Sequence, residues 1–164
     1  MPPVVLSIGA TLDFPPWLGR RYPTLTHLED AAWAYGAVVI RGPIDHACIA
    51  YSPDPADVTV ICLPEGLGVL AECWQLAHEL GHLVLHAGYS SPWAYDRQEA
   101  AAMRWAAQAL IPESAVRRHK NASLDAFIGA LSAHFEDIPL HDCPQRRLAA
   151  EIATIRLRAV EEVA

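Results

Sequence analysis

The stretch His78-Glu79-Leu80-Gly81-His82 sets two imidazoles four residues apart, with a carboxylate beside the first. Four residues turn an α-helix by about 400°, so both histidines fall on one face and can share a single metal ion. Glu79 then stands where it can take a proton from a metal-bound water, whose pKa a zinc ion lowers to about 7. These are the minimal parts for hydrolysing a peptide bond. With eight histidines and ten glutamates in 164 residues, composition alone produces this HExxH arrangement roughly 0.02 times. The competing explanation is a helix that merely carries two histidines. It leaves two imidazoles and a carboxylate on a strongly apolar helix without partners for their polar atoms.

A catalytic zinc normally takes three protein ligands and keeps one position open, so a third donor is expected. His86 continues the i, i+4 ladder, but its backbone stands about 12 Å along the helix axis from that of His78, too far for one ion to bridge comfortably. A structural or supporting hydrogen bond is the preferred role for His86 over ligation. The longer HExxHxxGxxH pattern is absent, because Leu85 and Gly88 occupy the positions of its glycine and third histidine. Between His82 and Pro112 the acidic residues are Asp96 and Glu99. Glu99, 17 residues beyond His82, can be carried back over the metal by an antiparallel second helix. Asp96 lies one turn earlier and suits the cap of that helix. On spacing, Glu99 is the preferred ligand, and a solvated surface charge is the alternative.

The elements that must hold these groups can be read from pattern. From Leu67 to His86 the chain is apolar and nearly free of charge, with Leu70, Trp74, Ala77, Gly81 and Val84 at helical spacing, which predicts a mostly buried helix. Gly88 is the expected stop, residues 90–93 (SSPW) start a turn, and a second helix follows from Asp96 to Leu110, closed by Pro112. Upstream, LTHLEDAAWAY (25–35) reads as a helix capped by Thr24 or Thr26. AVVIR (37–41), ACIAY (47–51) and DVTVICL (57–63) read as three strands of a small sheet. Downstream, helical pieces are expected near 113–120, 123–135 and 144–162, with Leu124, Phe127, Ile128, Leu131 and Phe135 forming a stripe that packs on the core. Helices follow strands instead of alternating with them, so the expected class is α+β.

Length and composition suit one domain: a proline-rich extended arm over 1–24, a catalytic core over 25–112 and a helical C-terminal part over 113–164. At 52% hydrophobic and 19% charged residues, the disordered and collagen-like classes are excluded. A formal net charge of −7 offers no overall field to draw in phosphate backbones. Cys48, Cys62, Cys73 and Cys143 are too widely spaced in sequence for a CxxC zinc or redox motif and are expected as reduced thiols. With no secretory pattern, and no apolar run near the roughly 20 residues that a membrane span needs, a cytoplasmic setting is expected.

Two segments together resemble the ImmA/IrrE family of metallopeptidases. The first is HELGHLVLH at His78–His86; the second is EAAAMRWAAQALIP at Glu99–Pro112, similar to the family's EAxxFAxxLLxP-like segment. The resemblance implies a zincin-like fold in which the small sheet packs on the HExxH helix. It also implies His78, His82 and Glu99 as the metal ligands, Glu99 being the third ligand as in gluzincins, and Glu79 as the general base. Zinc is the implied ion, while a His₂Glu site also accepts manganese or another divalent ion. Arg97 stands where members often carry an acidic residue, and Met103, Arg104 and Trp105 depart from the usual Asn-x-Phe-Ala flavour. These departures bear on packing around the site and on substrate more than on ligation. Members often cleave a helix-turn-helix repressor, and this length leaves no room for a fused DNA-binding domain, so a separately encoded repressor is the expected partner. Two other readings are a partner-binding module that does not cut, and one half of a toxin–antitoxin pair.

Overall fold

The computed structural model describes residue 17 and residues 19–51, 58–86, 93–119 and 121–161. Most of the expected N-terminal arm, the Gly88 stop, Tyr89 and the SSP of the expected turn lie outside the described residues, as does the side chain of His86.

The first helix, α1 (Leu25–Ala34), opens with a reciprocal cap: the His27 amide donates to Thr24 Oγ1 at 3.3 Å, and the Thr24 amide donates to His27 Nδ1 at 3.0 Å. Thr24, not Thr26, is therefore the cap, with histidine in the place a glutamate usually takes. Gly36, at φ +78°, then turns the chain into β1 (Ala37–Gly42), which is followed by β2 (Cys48–Ala50) and β3 (Thr59–Pro64).

The sheet order is β1-β3-β2, with β3 parallel to β1 and antiparallel to β2. Alternation divides its faces. Ala37, Ile61 and Leu63 are buried on the inner face, with Val39 and Ile49 packed against the core, while Ile40 on the outer face is 49% exposed. Arg41, at the inner edge, pairs with Glu29 of α1 and with Glu72 of the next helix, both at 2.5 Å.

That helix, α2 (Val69–His86), inserts Leu70, Cys73, Leu76, Ala77 and Leu80 into the core, each fully buried. Its first turn is capped from a distance: the Leu70 amide donates to Glu136 Oε1 at 3.1 Å. A negative charge is favourable at that end of a helix. A third helix, α3 (Tyr95–Leu110), doubles back along α2 and stops at Ile111, whose extended backbone is what a following proline requires. The expected cap on α3 is corrected here. Ala94 holds the cap position with no side-chain hydrogen bond, and Asp96 sits inside the first turn, where it complements the helix dipole without capping.

The C-terminal helices are α4 (Glu113–His119), α5 (Leu124–His134) and α6 (Pro144–Glu161). Phe127, Ile128 and Leu131 bury the α5 stripe, Phe135 is half-buried against the core, and Leu124 remains 40% exposed. The result is the small α+β arrangement that the pattern predicts. Among the described residues, no helix is long and apolar enough to cross a membrane.

Candidate metal centre

Helix α2 is buried on the sides that meet α1, the sheet and α3, and its histidines emerge where that burial thins. The side chains of His78 and His82 are 19% and 17% exposed, and that of Glu99, brought over from α3, is 30% exposed. The imidazole Nε2 atoms lie 3.1 Å apart. Glu99 spans them, with Oε2 at 3.2 Å from His78 Nε2 and Oε1 at 3.0 Å from His82 Nε2. Among the described residues, these three are the group whose potential ligand atoms converge, all within 4.8 Å of one another.

Two donors of a tetrahedral zinc at about 2.1 Å stand about 3.4 Å apart. The observed spacings of 3.0 to 3.2 Å are close to that value, so the donor set fits a divalent ion by type and by separation. Burial pushes the His78 imidazole below its ordinary value, against the opposing pull of the Glu99 carboxylate. A neutral imidazole keeps the lone pair that a metal needs.

Glu79, next to His78 on the same helix, is 6% exposed. Burial raises its carboxyl to about 7, and the nearby charge of Glu99 adds to the rise. A carboxyl poised near neutrality can both accept and return a proton at physiological pH.

A glycine sits where α2 and α3 come closest to the site. A Cβ on Gly81 would lie 2.9 Å from the Ala102 carbonyl oxygen and 3.0 Å from its Cα, closer than ordinary packing permits. Gly81 thus lets the two backbones approach between the histidines of α2, one helical turn from Glu99 on α3. In the sequence Gly81 stands as the one glycine within that helix, a costly choice that points to a packing reason without naming the partner.

Other tyrosine and histidine side chains lie outside this constellation. Tyr95 is 56% exposed at the start of α3. His119 packs edge-on against Phe127 at 5.4 Å, and His134 stacks on Tyr22 at 3.8 Å. His141 is exposed. Arg146 pairs with Asp125 and Arg147 with Asp142 in ion pairs away from the site. Trp105, one of the departures in the second segment, is 4% exposed and fills the core.

The profile of the family described as IrrE N-terminal-like domain matches residues 33–136, from the end of α1 through the residue that caps α2. No curated protein and no solved structure matches the chain.

Proposed function

Because the chain belongs to the IrrE N-terminal-like domain family of peptidases, we propose that it is a zinc-dependent metalloendopeptidase, with His78, His82 and Glu99 as ligands and Glu79 as general base. The observation that supports this reading best is the convergence of two imidazoles and a carboxylate beside a buried glutamate whose carboxyl is held at about 7. A bound divalent ion supplies a Lewis acid that polarises the scissile carbonyl and makes water a stronger acid. Zinc suits the His₂Glu set, and manganese or another divalent ion is compatible with it.

Glu79 takes the proton released from the attacking water and returns it to the leaving amine, a transfer for which a carboxyl near neutrality is suited in both directions. His78 and His82 would hold the ion through imidazole nitrogens, and the Glu99 carboxylate would offset part of its positive charge. The outer edge of β2 carries no further strand among the described residues, and Cys48 on that strand lies within electrostatic reach of Glu79. An extended peptide adds to that edge and brings its scissile bond toward the base.

The proposed substrate is a separately encoded helix-turn-helix repressor. A chain of net charge −7 attracts a basic DNA-binding partner and repels DNA itself. The test starts with metal content by mass spectrometry, on wild type and on Glu99→Ala purified without a chelating column. Near-stoichiometric zinc that is lost in the variant supports the site, and metal-free protein that ignores added zinc overturns it. A Glu79→Gln protein that binds partner and metal but leaves the partner whole, where wild type cuts it, separates the enzyme from a binding module or a toxin–antitoxin pair. If both proteins leave the partner whole, the non-catalytic reading takes its place.

A further inference from the structure

Cys48 and Cys62 are 14 residues apart in the chain, and the antiparallel register of β2 on β3 sets them directly opposite each other. Opposed residues project to the same side of the ladder with Cα atoms about 4.5–5.5 Å apart, inside the window of about 4.4–6.8 Å that a disulfide spans. The backbone already stands where a bridge needs it. The two thiols lie near enough for each to disfavour the other's charge.

Cys48 is exposed and Cys62 half-buried. Cys62 shares the outer face of the sheet with Ile40, its register partner on β1, and Cys48 lies on the edge strand. The other two cysteines are placed differently. Cys73 is fully buried, its thiol pushed up to about 12 chiefly by burial, and Cys143 immediately precedes α6. All four are free thiols.

We propose that Cys48 and Cys62 are a thiol modification site: a dithiol that closes reversibly to an intramolecular disulfide when it meets a low-molecular-weight disulfide. The Cys48 thiolate attacks one sulfur of the small disulfide, forms a mixed disulfide and expels one small thiolate, which takes up the proton Cys48 released. The Cys62 thiolate then attacks the Cys48 sulfur and expels the second small thiol. The protein loses two electrons and two protons, and the small disulfide gains them. Exposed disulfides are the readily reduced kind, so a small thiol in excess reopens the bridge.

The bridge ties the short edge strand to β3, which leads into α2, and Glu79 of that helix lies within electrostatic reach of Cys48. Oxidation therefore fixes the short edge strand to the centre of the sheet. The inference rests on strand register and exposure, and it stands or falls independently of metal binding and peptidase activity.

The test is to expose the full chain to glutathione disulfide, block remaining thiols, digest without reduction and map the peptides by mass. The expected product joins the Cys48 and Cys62 peptides at a mass lower by two hydrogens, about 2 Da, and dithiothreitol separates them. Cys48→Ser and Cys62→Ser, each checked for native circular dichroism, lose the bridge and leave the remaining partner as a free thiol or a glutathione adduct. Both thiols persisting as free, glutathione resting on each cysteine separately, or a bridge to Cys143 overturns the proposal.

Discussion

Glu79 is a carboxyl in a place that disfavours its charge, and that sets both its proposed chemistry and a measurable cost. Below its ordinary value of 4.5 it is protonated in the folded and the unfolded chain alike. As pH rises from 4.5 to about 7 the unfolded chain gives up the proton while the folded one keeps it. The metal-free fold then loses up to about 3 kcal/mol through this group across that window, and no more above it. His78, pushed down by burial, works in the opposite sense, so the informative quantity is a difference. Thermal melts with chelator present, at pH 5 and pH 8, should show wild type losing more stability than Glu79→Gln over that interval. An equal loss in both would mean that Glu79 is not held protonated. With metal present, Glu79→Gln is expected to keep its ion and to lower peptide cleavage by about 10²–10⁴-fold, the range for a general base. The HExxH spacing made this residue legible from the chain alone, because helical geometry fixes what neighbours what within one element.

The site depends next on how closely two helices approach. The atoms that a Gly81 side chain would meet belong to the Ala102 backbone, so no side-chain trimming at Ala102 can relieve the clash. Gly81→Ala is expected to cost about 1–3 kcal/mol as an overpacking change. It should also weaken divalent-ion binding by moving Glu99 off the histidines, read by chelator competition alongside denaturant melts. A variant that binds as tightly as wild type would show that the approach of α2 and α3 is not what sets the donor spacing. The N-terminus of α2 depends on Glu136 in the same way. Glu136→Ala should cost about 1 kcal/mol of stability, as loss of a helix cap does, in a urea titration. The helices themselves were legible from periodicity, since α2, α3 and α5 each carry an apolar stripe. Neither partner was: Ala102 is 21 residues from Gly81 and Glu136 is 66 residues from Leu70, separations at which no local pattern carries information.

At the scale of the whole molecule, one buried cation joins the C-terminal helix to the rest. Arg156 on α6 is 5% exposed, donating through Nε to the Ile111 carbonyl at 3.0 Å and through Nη2 to Glu113 at 2.8 Å. It satisfies a carbonyl at the end of α3 and holds α6 against the α3–α4 junction. Arg156→Met keeps the stem and removes the charge. It should cost about 2–3 kcal/mol by urea denaturation, less than a fully buried pair would lose, because Glu113 is half-exposed and recovers solvation. Full stability in that variant would show that α6 is held by its apolar contacts alone.

The sequence by itself determined what short-range physics controls. Helical spacing put His78 and His82 on one face, alternation and turn residues separated three strands, and apolar stripes located the helices that pack on them. Tertiary structure decided what depends on register and approach. It decided that β3 lies between β1 and β2, that Cys48 meets Cys62, and that Thr24 rather than Thr26 caps α1. It also decided that Gly81 clears the path for α3 and Glu136 caps α2. The reason is physical. Within a helix or strand, covalent geometry fixes the distance between neighbours, whereas between elements that distance is set only when the packed core closes around them.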